Sequence, residues 1–238
     1  MDASSQPVIQ LNNLLFSWHT DAPTLVIDEL SVRTGEKLFI RGPSGSGKTT
    51  LLGLLGGVLI PEQGSITVLN QELNQLTASR RDHFRANHIG FIFQMFNLIP
   101  YLSVIENITL PLSFAQARQQ RLDKKSISAH AEAVRLLDQL GLQDKTLLNR
   151  PVTALSIGQQ QRVAAARALI GQPEILIADE PTSALDTETR EAFIRLLFSE
   201  CESAGITLLF VSHDRGLETL FDRTIALNTL NKAHGARL

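Results

Sequence analysis

The spacing of apolar and polar residues changes character along the chain. From Val8 to Trp18 the two kinds alternate, as they do in a strand with one wet face. Asp21 to Pro23 reads as a turn and Leu25 to Val32 as a second strand. Lys37 to Ile40 is a short strand that runs straight into a glycine-rich turn. Thr49 to Leu59, apolar on nearly every face, predicts a buried helix ended by Pro61 to Gly64, and Ser65 to Leu69 a further strand. Ile89 to Gln94 is short, apolar and β-rich, and also predicts a strand. From Met95 to Arg167 the periodicity is mostly helical, as in His130 to Leu140, where Gly141 stops the helix. Glu174 to Ala178 and Thr207 to Val211 are short, fully apolar runs between polar turns, the pattern of central parallel strands covered on both faces.

Composition narrows this picture. A chain of 238 residues has room for one large α/β domain, or a core with an inserted subdomain, and its 43% hydrophobic content can fill a core. A net charge of -2 argues against a nucleic-acid partner. Cys201 is the one cysteine, which excludes a disulfide framework and makes a reducing compartment the default; it reads as a helix residue without chemistry. Met1 to Gln6 are polar and carry no basic, apolar leader pattern. The longest apolar run, Leu51 to Ile60, contains three glycines and is shorter than the roughly 18 residues a membrane span needs. The chain is therefore expected to be soluble, with any membrane spans supplied by another chain. Asn228 to Leu238 are expected to leave no room for a regulatory domain, and Arg80, Arg81 and Arg85 read as a solvated helix face.

The glycine-rich turn carries chemistry. Gly42-Pro-Ser44-Gly45-Ser46-Gly47-Lys48-Thr49 fits GxxxxGK[ST] and lies between a predicted strand and a predicted helix. Glycines let successive N–H groups face one concavity, and the helix that follows adds its positive dipole end. Lys48 can then reach the β- and γ-phosphates of ATP, and the Thr49 hydroxyl can ligate Mg²⁺, with Thr50 next in the same cradle. Ile175 to Glu180 is an apolar strand ending in two acids. Asp179 is the candidate Mg²⁺ ligand, and Glu180 the carboxylate that polarises the attacking water.

Leu155-Ser156-Ile157-Gly158-Gln159, followed by Gln160 to Leu169, resembles the LSGGQ signature and QQRVAxARAL helix of ABC ATPases. The likeness continues into Asp179-Glu180-Pro-Thr-Ser-Ala-Leu-Asp186. Phe210-Val-Ser-His213-Asp resembles the family's switch histidine, and Gln94 at the end of Phe91-Ile-Phe-Gln94 its Q-loop glutamine. Trp18 sits where the family stacks an aromatic on adenine, with Phe16 as the rival ring. Ile157 departs from the commonest signature, which has glycine there. The resemblance spans Val8 to about Leu227 and implies a single α/β domain, 1–238. In it, a P-loop NTPase core with a mixed parallel sheet and an N-terminal antiparallel β subdomain (1–94 and 168–238) would surround a helical insert carrying the signature (95–167).

The resemblance also implies a mechanism. A second copy would meet this one head to tail, its Ser156, Gly158 and Gln159 closing over γ-phosphate. That signature site has no lysine, so it would take an anion already held elsewhere. Asp186 would lie at the subunit interface. His213 would hold the γ-phosphate and orient the water, and Gln94 would bridge Mg²⁺ and the insert. Met95 to Leu102 is apolar for a loop and suits either core packing or a groove for a transmembrane permease subunit; the family likeness favours the groove. Gly90 to Leu112 is similar to the ATPases of lipoprotein-releasing and macrolide-export systems, which implies a cytoplasmic protein on the inner face of the cell membrane. A soluble ABC ATPase of repair or translation is the alternative, and a P-loop kinase, which needs neither the signature nor a switch histidine, is a second.

Overall fold

A computed structural model describes residues 7–19, 22–183, 185 and 187–235, so Asp186 lies outside the described residues. In chain order the elements are β1 (Pro7–Phe16), β2 (Leu25–Arg33), β3 (Lys37–Arg41), α1 (Lys48–Leu55), β4 (Gln63–Val68), β5 (Gln71–Glu72), α2 (Ala78–His88) and β6 (Ile89–Ile92). Then follow α3 (Val104–Thr109), α4 (Gln116–Lys124), α5 (Ala129–Gln139), α6 (Ile157–Leu169), β7 (Ile175–Asp179), α7 (Thr187–Ala204), β8 (Thr207–Ser212), β9 (Arg223–Ala226) and α8 (Leu227–Leu230). They gather into two units, Met1–Arg85 with Thr207–Leu238, and Ala86–Ile206.

The first unit holds an antiparallel sheet in the order β2-β1-β4-β5. Alternation in β1 buries Ile9 and Leu11, then slips to Leu14 and Phe16. The slip is a bulge: Asn13 has φ 49 and the β1–β4 register shifts between Asn12 and Leu15. The strand ends at Phe16, two residues before the predicted end at Trp18. The same unit holds a parallel trio with β3 between β8 and β9. Every residue of β8 is buried, as its unbroken apolar run predicts. Phe39 of β3 stacks on Phe210 of β8 with ring centroids 6.0 Å apart, and burying each such ring contributes ~1.5–3 kcal/mol.

Two expectations in this unit are corrected. The helix predicted over Thr49 to Leu59 spans Lys48–Leu55. Gly56 and Gly57 stop it well before Pro61: Gly57 takes φ +66 and donates to the Leu54 carbonyl at 3.0 Å, leaving Val58 60% exposed. Arg81 and Arg85 are not a solvated face. Arg81 Nε donates to the Gly57 carbonyl at 3.2 Å and Arg85 Nη1 to that of Gly56 at 3.4 Å. Both cations thus serve the negative end of α1; Arg80 is exposed.

In the second unit β6 pairs with β7 in parallel, Ile92 opposite Ala178. β6 ends at Ile92, so Gln94 lies beyond the strand. The remaining elements are helical. α7 places Phe193, Ile194, Leu197 and Cys201 on one buried face, the 3.6-residue period of a core helix. α5 is tied to α7 by Arg135, which donates to Glu132 at 2.8 Å and to Glu200 at 2.7 Å. Among the described residues no helix is long and apolar enough to cross a membrane.

Candidate functional site

In the first unit the loop after β3 wraps the start of α1. Gly47 caps that helix in a left-handed conformation, φ 95, with no side-chain hydrogen bond at the cap and no acidic residue in the first turn. A Cβ at Gly47 would lie 2.8 Å from Leu25 Cδ2, so the close approach and the positive φ both demand glycine. A helix start without a protein cap is an anion site, because its first N–H groups lack intrahelical partners. Lys48 Nζ folds back over the loop, donating to the carbonyls of Gly42 at 2.7 Å and Pro43 at 3.0 Å. Ser44, Gly45 and Thr49 are exposed, whereas the buried Ser46 Oγ has no hydrogen-bond partner among the described residues. Trp18 is 57% exposed, while Phe16 is buried and meets the indole edge-on with centroids 5.2 Å apart. The indole Nε1 donates to Thr50 Oγ1 at 3.1 Å, which joins the exposed ring to α1.

His213 follows β8 and Gly42 follows β3. These strands are parallel neighbours with Arg41 opposite Ser212, so both residues leave at the same strand edge. They share a cavity of about 370 Å³ lined by Arg41, Gly42, Pro43, His213, Arg215 and Asn228. Ligands of open α/β sheets bind at such carboxyl-terminal strand edges.

The second unit repeats the arrangement with other chemistry. Gln94 follows β6, and Asp179 and Glu180 close β7, again at the same ends of parallel neighbours. Glu180 is half-buried and held at φ 45, a left-handed conformation a glutamate adopts only under constraint. Gln94 is exposed in a turn closed by the Phe96 N–H on the Phe93 carbonyl at 2.9 Å. At the signature, Ser156 caps α6 through a reciprocal box. Its Oγ accepts from Gln159 N at 3.3 Å, and the Gln159 side chain accepts from Ser156 N at 2.9 Å. Ile157 opens the helix without a positive φ, so its departure from glycine costs the backbone nothing, and it is 56% exposed. Next to it lies Gly158, half-buried.

Sequence reasoning missed Arg41, Arg215 and Asn228, whose place in the cavity depends on strand register. It also gave no separate role to Gln161 and Arg167 of α6. Gln161 is fully buried and donates to the Pro181 carbonyl at 2.7 Å, directly after Glu180. A polar side chain inside the apolar run from Val163 to Ile170 was the available signal for Arg167.

A glycine-wrapped, uncapped helix start after a parallel strand, with an acid pair closing another, defines a P-loop nucleoside triphosphatase. Within that class the chain belongs to the ABC transporter family, whose profile matches residues 27–183. It is 42% identical over 199 residues to the ABC transporter ATP-binding protein YbbA of Escherichia coli K12, covering 84% of this chain and 83% of that one. It is 36% identical over 226 residues to the lipoprotein-releasing system ATP-binding protein LolD 2 of Caulobacter vibrioides, covering 94% and 95%. Among solved structures, the dimeric cassette MJ0796 bound to ADP and Pi superposes with TM-score 0.79 at 34% identity, over 94% of this chain and 95% of that one. The chain is an ATP-binding, ATP-hydrolysing subunit of the ABC type.

Proposed function

We propose that two copies of the chain close head to tail on ATP and drive a separate transmembrane permease subunit of the lipoprotein-release or macrolide-export type. The observation that carries this reading is the pair of helix starts: one, at Lys48, with no side-chain cap, the other, at Ser156, capped by its own box and lacking a lysine. The first suits an anion bound from one chain alone, the second an anion presented by a partner. In this reading Gly42, Ser44, Gly45, Ser46, Gly47, Lys48, Thr49 and Thr50 cradle the phosphates, and Trp18 stacks on adenine. Glu180 polarises the water, and His213 steadies the γ-phosphate. Ser156, Gly158 and Gln159 cap the other copy's nucleotide, and Asp186 couples the two subunits. Residues 1–94 and 168–238 are the nucleotide-binding core, and 95–167 the signature-bearing insert.

The donors assigned to Mg²⁺ are a hydroxyl at Thr49, an amide oxygen at Gln94 and a carboxylate at Asp179. All are hard oxygens, and one carboxylate with substrate phosphates is the usual Mg²⁺ set. Consistent with that, the described residues contain no group of three or more His, Cys, Asp or Glu side chains able to hold a metal alone. The bound ion would neutralise charge on the β- and γ-phosphates. The membrane partner is supported by apolar exposure just after Gln94: Met95 is 81% and Tyr101 83% exposed. Such a partner places the chain on the cytoplasmic face of the inner membrane.

Glu180→Gln tests the pair. Turnover should fall by roughly 10²–10⁴-fold, as loss of a positioned base does, and gel filtration with ATP should show a dimer. A monomer under ATP, or undiminished turnover, overturns the reading. A pulldown from detergent extract tests the permease: recovery of a multispan membrane protein supports it, whereas a ribosomal or DNA-bound partner would favour the soluble alternative.

A further inference from the structure

The turn that carries Gln94 is held in a conformation its residues do not favour. Phe96 has φ 59 and Asn97 φ 50, and a bulky aromatic in the left-handed region needs an external constraint. The turn's own hydrogen bonds are local: Phe96 N–H to the Phe93 carbonyl at 2.9 Å, and Asn97 N–H to the Met95 carbonyl at 2.6 Å. The external constraint is Arg167. Its Nη2 donates to the Phe96 carbonyl at 2.5 Å and its Nη1 to the Asn97 carbonyl at 2.6 Å. A guanidinium fork matches two adjacent acceptors in a way a lysine ammonium does not. Arg167 is half-buried, and partial desolvation lowers its pKa from the ordinary value, so these carbonyls replace part of its water.

Arg167 stands in the last turn of α6, and Ser156 caps the other end. At ~1.5 Å rise per residue the two ends are separated by about 16 Å. Midway, Gln161 holds the Pro181 carbonyl next to Glu180. Beyond Arg167, the buried Arg118 donates to the carbonyls of Ala168 at 3.3 Å and Ile170 at 3.4 Å, fixing that end of the helix. One short helix therefore grips the segments carrying Gln94 and Glu180 and presents Ser156.

We propose that Arg167 is a positioning residue for Gln94, its two hydrogen bonds fixing the Phe93–Asn97 turn to the helix that begins at Ser156. This rests on the assignment of Gln94 to the Mg²⁺ and water site. A displacement of the exposed Met95–Tyr101 surface by a bound partner is then passed to α6 through Arg167 rather than absorbed in a loose loop.

The test compares Arg167→Met, Arg167→Lys, Gln94→Ala and the Arg167→Met/Gln94→Ala double variant, with Mg²⁺-ATPase kinetics and amide hydrogen exchange on the full chain. Arg167→Met should lower kcat by roughly ten- to a hundredfold, the cost of a misplaced catalytic group, with KM for ATP within about twofold. Exchange at Phe96 and Asn97 should quicken roughly tenfold while α1 and β8 stay protected. Arg167→Lys should fall between wild type and Arg167→Met, since a point charge satisfies one carbonyl at a time. The double variant should match Gln94→Ala within about twofold, because the two residues act as one unit. Unchanged exchange in Arg167→Met, or losses that multiply in the double variant while Gln94→Ala alone is slow, overturns the role of Arg167 and leaves that of Gln94 standing. Full turnover in Gln94→Ala removes the Gln94 assignment and the proposal with it. If Arg167→Met does not fold, Arg167→Lys carries the same comparison: exchange and kcat equal to wild type would end the idea.

Discussion

The starts of α1 and α6 are built on opposite plans. α1 begins at a glycine with φ 95, has no side-chain cap and no acid in its first turn, and has Lys48 as its first residue. α6 begins at a serine whose hydroxyl and whose box partner Gln159 satisfy two of the orphan backbone N–H groups, and no lysine stands near. An uncapped end pays a standing cost until an anion arrives, so it binds strongly. A self-capped end is content alone and offers the dipole and a hydroxyl proton to an anion brought close by something else. In the proposed reading, this difference would let one protein hold ATP as a monomer and recognise held ATP as a pair.

The largest effect should come from removing the cation at the first end. In the proposed cradle Lys48 would donate to charged phosphate oxygens, each bond worth ~1.5–3 kcal/mol, so in Lys48→Ala ATP affinity measured by calorimetry should drop by roughly 10²-fold or more. Retained affinity would mean the α1 end does not depend on its lysine. Gly47→Ala attacks the same end through the backbone. Its Cβ would press on Leu25 Cδ2 at 2.8 Å, and the positive φ adds ~1–3 kcal/mol of strain. At about 2–4 °C per kcal/mol for a chain of this size, the melting temperature should fall measurably, together with ATP binding. An unchanged melt would show that the loop relaxes freely.

The α6 end should respond differently. Ser156→Ala removes the cap at a cost of about 1 kcal/mol and leaves ATP affinity of the single subunit within roughly twofold. The ATP-bound pair in the Glu180→Gln background should be lost on gel filtration. Ser156→Asn sharpens this, because asparagine caps as well as serine. It should restore the melting temperature while leaving pair formation impaired. If both variants still pair normally, the contrast between the two helix ends has no functional meaning.

Much of this was legible beforehand because the informative residues are local. The phosphate loop, the acid pair and the signature each occupy a few consecutive positions, and the strands β7 and β8 announced themselves as unbroken apolar runs. What escaped was non-local or hidden by composition. Leu59 and Val58 look like helix, but Gly57 had already turned the chain and put Val58 in solvent. Arg81 and Arg85 look like surface charge, but their acceptors are carbonyls more than twenty positions away at the end of α1. The partners of Arg167 lie about seventy residues upstream, a pairing that exists only once α6 has packed.

The smallest expected effect tests whether the exposed ring belongs to the α1 end at all. Trp18 is joined to that helix by a hydrogen bond, Nε1 to Thr50 Oγ1 at 3.1 Å, and rests edge-on against the buried Phe16 of β1. Trp18→Phe keeps an aromatic face for adenine and deletes the donor, a loss of ~0.5–1.5 kcal/mol. Because that bond lies within the protein, its loss reaches ATP binding only through the placement of the ring, a weakening of at most roughly two- to tenfold. Trp18→Ala also deletes the ring, adding ~0.5–1.5 kcal/mol for the lost aromatic contact. Because inorganic triphosphate has no base to stack, its affinity should not distinguish the two variants. If ATP affinity is also equal in Trp18→Phe and Trp18→Ala, the ring does not meet adenine, and its role is to hold Thr50.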